Sequence, residues 1–245
     1  MENPKKHIIG GITGGIGQAL AKELLSQGHT VAGFSRGGES DELAGVSIHK
    51  CDATDPEALE STLQALHDEL GGIDCYTHAI GSIFLRPAHL TSPDDWHQTI
   101  RQNLDSAFFA LRVVSKLMSK QGSGSCLFFS TAAAQTGIAN HETIAAAKGG
   151  LEAMVRAAAA SYSSRGVRFN AIAPSLTDTP LSKGILGSEQ ALEISKKMHP
   201  LGAITEVGDV ASLAAWLHSD AAKFATGQTF VLDGGISTVV PKPKA

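Results

Sequence analysis

The chain has 245 residues, a formal net charge of −4, 42% hydrophobic residues and 18% charged ones. That balance argues against a disordered or fibrous chain, and a weakly acidic sequence without a long basic run argues against a general nucleic-acid binder. The opening MENPKKHIIGG has no apolar stretch of signal-peptide length, and no window reaches the roughly 18 apolar residues of a membrane helix, so a soluble, cytoplasmic protein is expected.

In chain order, short apolar runs alternate with longer stretches of helical period. HIIGG precedes GQALAKELLSQG, HTVAGFS and VSIHKCD precede PEALESTLQALHDELG, and DCYTHAIG precedes NLDSAFFALRVVSKLMSK. Further on, SCLFFST, VRFNAIAP and GQTFVLDGG read as strands, with helices over TIAAAKGGLEAMVRAAAASYSSRG and GDVASLAAWLHSD. Such alternation predicts a single α/β domain over residues 1–245: a Rossmann-like, doubly wound sheet of seven parallel strands, with its ligand crevice at the strands' carboxyl ends. Residues 175–205 carry one short amphipathic helix and no strand, and are expected to form a lid over the substrate. Leu176, Leu181, Ile185, Leu186 and Met198 make that lid partly apolar. Cys51, Cys75 and Cys126 have no metal-ligand spacing and read as buried reduced thiols; no metal site is expected.

Gly11, Gly15 and Gly17 lie between the first strand and first helix, with Thr13 and Ile16 in the same loop. Glycines there let the backbone turn tightly and bring helix amides to a pyrophosphate. The second strand ends at Ser35 and Arg36, where a carboxylate would select NAD(H); a hydroxyl and a guanidinium favour NADP(H) over NAD(H). Asp52, followed by Ala53, ends the third strand and is placed either to accept from the adenine amino group or to cap the helix starting at Pro56. Thr54 or Asp55 is better placed to cap.

Over nearly its whole length the chain resembles the short-chain dehydrogenase/reductase family. Gly11, Gly15 and Gly17 match its glycine motif, although Gly10 replaces the usual threonine. DCYTHAIG stands where the family has Asn-Asn-Ala-Gly; Gly81 agrees, while His78, Ala79 and Ile80 depart. Asn103 matches the family's helix asparagine, and Pro174, Thr177 and Thr179 match its segment near the nicotinamide, with Ser175 in place of glycine. The resemblance implies cofactor contacts from the glycine loop, Ala79, Gly81, Lys148, Pro174, Thr177 and Thr179. It also implies a small-molecule substrate and a homo-oligomer, dimer or tetramer, built on a four-helix interface.

In the family a serine polarises the substrate carbonyl, and a tyrosine four residues before a lysine exchanges the proton. Counting back from Lys148 puts Ile144 at the tyrosine position and Thr131 at the serine position, with Ser130 beside it. Reduction of a carbonyl leaves an alkoxide that an ionisable group within reach must protonate, and isoleucine has no such proton. Tyr76, within a strand, and Tyr162, far along the helix, do not fit. His141 stands seven residues before Lys148 and is the candidate substitute, since histidine is the commonest acid/base side chain. It shares a face with Ile144 and Lys148 if the helix already includes it; otherwise it is a helix-entry residue, with Asn140 or Thr143 as cap.

The resulting expectation is an NADP(H)-dependent oxidoreductase with an altered proton donor. It acts on a carbonyl or related small molecule, with Asn103, Ser130 or Thr131, and Lys148 keeping family roles. His78 and Ala79 are also similar to the enoyl-reductase branch, which admits a polarised double bond or quinone as substrate. The alternative is a non-catalytic NADP(H)-binding sensor or partner subunit; a purely structural oligomer-former is the third reading.

Overall fold

The computed structural model describes residues 3–241. Seven strands form one parallel sheet: β1 (Lys6–Gly10), β2 (Thr30–Ser35), β3 (Ser47–Lys50), β4 (Cys75–His78), β5 (Gly124–Phe129), β6 (Val167–Pro174) and β7 (Thr229–Leu232). Their spatial order is β3-β2-β1-β4-β5-β6-β7. Helices cover both faces, so the central strands are buried on both sides and read as continuous apolar runs rather than alternating ones. On one face α2 (Pro56–Leu70), α4 (Ser106–Gln121) and α5 (Glu142–Tyr162) pack Leu63, Val114 and Leu151 against Phe34, Tyr76 and Phe128. On the other, α1 (Gly15–Ser26) and α7 (Val207–His218) pack Leu20 and Val210 against Ile9, Leu127 and Ile172.

The chain winds outward in one direction from β1 to β3 and in the other from β4 to β7. The reversal between β1 and β4 opens a crevice at the carboxyl ends of those strands. Asp55, not Asp52, caps α2, accepting from the amides of Glu57 and Ala58. β3 stops at Lys50, two residues short of Asp52, which correspondingly lies in the following turn.

Between α3 (Pro93–Ile100) and α4 the helix loosens into a π turn over Arg101–Asp105, closed by the Ser106 amide donating to the Arg101 carbonyl. Such single-turn bulges sit inside helices and redirect a side chain, here that of Asn103. Residues 175–205 contain a short 3-10 turn and α6 (Glu189–Met198), and a parallel bridge between Thr177 and Thr205 ties the two ends of the segment together. All three cysteines are buried free thiols, and among the described residues no helix is long and apolar enough to cross a membrane.

Candidate dinucleotide crevice and active-site cavity

The loop after β1 is built so that only glycine fits at two positions. Gly11 has φ +78°, and a Cβ there would lie 2.6 Å from the Ala79 carbonyl oxygen. A Cβ on Gly17 would lie 2.3 Å from the Gly11 carbonyl oxygen. The strand therefore runs into α1 with its backbone bared, and Gly14 at the helix N-cap supplies no side chain to satisfy the first amides. An unsatisfied helix N-terminus facing a cleft is a fit for a pyrophosphate. The cleft, about 330 Å³, gathers Gly11, Thr13, Gly15, Ile16, Ser35, Arg36, Asp52, Ala53, Ala79 and Gly81. Gly17 lies behind it, buried in α1.

At the far end of this cleft the two side chains singled out after β2 behave differently. Ser35 is buried, and its hydroxyl donates to the Gly38 carbonyl and accepts from the Gly38 amide, both at 3.0 Å, closing a turn. Arg36 is exposed at the cleft rim. Asp52 accepts from the Thr54 amide and hydroxyl, each at 2.9 Å. The Thr54 amide, more than the nearby Arg36 and Arg101, holds its carboxyl below the usual range.

A second, adjoining cavity of about 310 Å³ shares Ile16, Ala79, Ile80 and Gly81 with the first. Asn103, Ser130, Thr131, His141, Ile144, Lys148, Pro174, Thr177 and Thr179 all line it. Lys148 is buried and donates to the Phe129 carbonyl at 2.8 Å; burial lowers its pKa to about 8. Asn103 accepts from the Ser82 amide at 3.0 Å and donates to the Ser82 hydroxyl at 2.9 Å and the Thr99 carbonyl at 3.0 Å. Gly81 permits this crowding, since a Cβ there would lie 2.9 Å from Asn103 Oδ1 and 3.4 Å from Lys148 Nζ.

The two hydroxyls beside β5 are not equivalent. Ser130 donates to the buried carboxylate of Glu152, so its proton is committed. Thr131 only accepts, from the Ala133 amide at 3.3 Å, which leaves its O–H available to a carbonyl in the cavity.

His141 is not in the helix. Asn140 has φ +66°, α5 begins at Glu142, and His141 is its N-cap with no capping bond from its side chain. Neither Asn140 nor Thr143 caps. The ring is half-buried, and its Nδ1 lies 2.8 Å from the Ala139 carbonyl. A carbonyl only accepts, so Nδ1 carries the hydrogen and Nε2 is left for another partner. Tyr76 and Tyr162 lie outside the cavity lining; of the apolar side chains in segment 175–205, Leu176, Leu181, Ile185 and Met198 form part of it and Leu186 does not. Among the described residues no group of His, Cys, Asp or Glu is arranged to hold a metal.

A family model described as enoyl-(acyl carrier protein) reductase matches residues 11–237. The chain belongs to the short-chain dehydrogenase/reductase family. A tropinone reductase homolog of Arabidopsis thaliana is 30% identical over 244 residues, covering 95% of this chain and 91% of the relative. D-threitol dehydrogenase of Mycolicibacterium smegmatis is 29% identical over 240 residues, covering 94% and 92%. Among solved structures, ligand-free aldohexose dehydrogenase of Thermoplasma acidophilum superposes with a TM-score of 0.90 at 25% identity, covering 99% of this chain and 98% of that one.

Within the short-chain dehydrogenase/reductase frame, two departures noted in the sequence belong together. A Cβ on Gly10 would lie 2.7 Å from the Phe34 ring and 3.1 Å from the Tyr76 hydroxyl, so Tyr76 occupies the space a larger residue would need. Tyr76 donates to His78 Nδ1 at 2.9 Å, His78 Nε2 donates to the Ser106 hydroxyl at 3.2 Å, and Ser106 donates to the Gln102 carbonyl at 2.8 Å. The direction of this chain is fixed by the carbonyl at its end, and it ties β4 to the π turn that carries Asn103. Burial lowers His78 to a pKa of about 3, which keeps the imidazole neutral and removes it as an acid near neutral pH. Ser82, Ser106 and Glu152 were not anticipated from the sequence; each is a small or polar residue whose partner is distant along the chain.

Proposed function

We propose that the protein is an NADP(H)-dependent oxidoreductase that transfers a hydride to or from a carbonyl or related small molecule, with His141 in place of a tyrosine as proton donor. The observation that carries this reading is the common wall: Ala79, Ile80 and Gly81 line both the glycine-loop cleft and the cavity that holds Thr131, His141 and Lys148. A dinucleotide seated on the glycine loop supplies or takes the hydride at that wall. Arg36, exposed at the rim with Ser35 turned inward, supports NADP(H) over NAD(H). Lys148 would hold the cofactor's ribose, Thr131 would donate to the substrate oxygen, and His141 Nε2, once protonated, would deliver the proton to it. Asn103 orders the backbone at Ser82 beside the lysine.

The lining side chains Ile83, Leu85, Ile138, Ile144, Ile185 and Met198 favour an apolar substrate, and residues 175–205 act as its lid. A conjugated double bond is within the same reading, in line with the description of the matching family model. Phe108 on α4 is 50% exposed, which supports pairing with a second copy through α4 and α5. A nucleotide-binding protein without turnover is the second reading, favoured by buried Ile144 in the cavity where a phenol would be needed.

The test is NADPH consumption against a panel of ketones, enones and quinones. Turnover is expected, and His141→Ala should lower kcat by roughly 100-fold or more, the usual contribution of a general acid. Undiminished turnover in His141→Ala removes the histidine from the chemistry; bound NADPH with no turnover favours the second reading.

A further inference from the structure

The turn that carries Thr131 is clipped at both ends to one carboxylate. Ser130, immediately before Thr131, donates to Glu152 Oε1, and Gln135, at the end of the turn, donates to Oε2. Glu152 is 6% exposed and lies on α5 one helical turn beyond Lys148. Its two partners are neutral, and among the described residues no ion pair reaches it.

A buried carboxylate without a cation is a poor stabilising device, since desolvation costs several kcal/mol and an apolar residue of similar volume is often as good or better (order of magnitude). What a carboxylate provides is geometry. Its two oxygens each accept from a different residue, so both flanks of Thr131 are fixed to the helix that carries Lys148.

We propose that Glu152 is the positioning residue for the Thr131 hydroxyl. By holding Ser130 and Gln135 it fixes Thr131 in the cavity wall that Lys148 also lines, and by accepting the Ser130 hydrogen bond it leaves Thr131 as the one hydroxyl of the pair free to donate to substrate. Glu152 touches neither substrate nor cofactor. The proposal rests on the hydride-transfer reading above, in which Thr131 polarises the substrate oxygen. A displacement of about 1 Å in such a group lowers turnover on the order of 100-fold.

The experiment compares Glu152→Leu, Glu152→Gln and Ser130→Ala for turnover, NADPH affinity, melting temperature, and the methyl resonance of Thr131 in methyl-labelled protein with NADPH bound. Glu152→Leu should lower kcat on the order of 100-fold, leave NADPH affinity and melting temperature unreduced, and shift or broaden the Thr131 methyl signal. Glu152→Gln should recover most of the rate, because a carboxamide keeps an acceptor for Ser130 and lets the Gln135 amide turn over. Ser130→Ala removes one arm and should fall between them. On a Thr131→Ala background Glu152→Leu should cost little more, as expected of coupled residues. An unmoved Thr131 signal with wild-type kcat in Glu152→Leu and Ser130→Ala overturns the proposal. So does an equal loss on both backgrounds accompanied by a lower melting temperature. If the wild type turns over no substrate, the hydride-transfer reading fails, while the Thr131 signal still decides whether Glu152 holds the turn.

Discussion

Lys148 shows how one residue joins stability to function. Burial lowers its pKa to about 8 from the 10.5 of an ordinary lysine, so the folded chain sheds that proton more readily than the unfolded chain. Stability therefore rises with pH between those two values, where only the unfolded state still binds the proton, and below about 8 the buried ammonium is a cost to the fold. The cost has a use only if the charge meets an anionic or polyhydroxyl ligand. Lys148→Met should accordingly melt at a higher temperature at pH 7 while binding NADPH more weakly. In the wild type, affinity should decline as pH rises through about 8 and the lysine loses its charge, whereas in Lys148→Met it should be flat over that range. Differential scanning fluorimetry and a fluorescence titration of NADPH across that range check both halves.

At the scale of elements, the sequence was legible where physics is local. The strands announce themselves because a parallel sheet covered on both faces needs apolar runs such as HIIG and SCLFF, and the glycine loop because Gly11 and Gly17 leave no room for a side chain. Element ends were less legible. Asp52 was read as the end of a strand that stops at Lys50, and the α5 helix was open to including His141, whereas the left-handed turn at Asn140 delays its start to Glu142. Tertiary partnerships were not legible. The helical period of α5 does not say that Glu152 meets Ser130 and Gln135, and nothing local to DCYTHAIG says that Tyr76 and His78 run to Ser106 and the π turn. Of Ser130 and Thr131, equal candidates in the sequence, only the bond to Glu152 separates them.

The whole molecule carries an acid-sensitive site at the end of the sheet opposite the cleft. His7 on β1 is buried with both ring nitrogens unpartnered, its ring tilted against His29 at 5.0 Å and edge-on to His218 at 5.5 Å. His218 binds Thr77 and Ser125, and Lys5 and Arg168 lie close enough to act on the group. Burial above all, then the neighbouring positive charges, lowers His218 to a pKa of about 3 and His7 well below its ordinary value. Both rings stay neutral in the fold and protonate in the unfolded chain below about pH 6.5. For His218, stability present above that pH is therefore lost as pH falls towards 3, by about 1.4 kcal/mol per pH unit, and His7 adds a loss of the same sign. His7→Phe, which fills the same space without a titratable group, should flatten the fall in melting temperature between neutral pH and about pH 4.5. An unchanged acid slope in that variant would assign the sensitivity elsewhere.

In the function proposed above, the glycine-loop cleft holds a nicotinamide dinucleotide and Arg36 selects its phosphorylated form. Calorimetric titration of the protein with NADPH and NADH, repeated on Arg36→Ala, tests it most directly. A saturable complex is expected with both, tighter with NADPH by roughly the tenfold or more that about 1.4 kcal/mol from a charge-assisted phosphate contact provides, and the preference should be abolished in Arg36→Ala. Absence of a saturable complex with either coenzyme would contradict it.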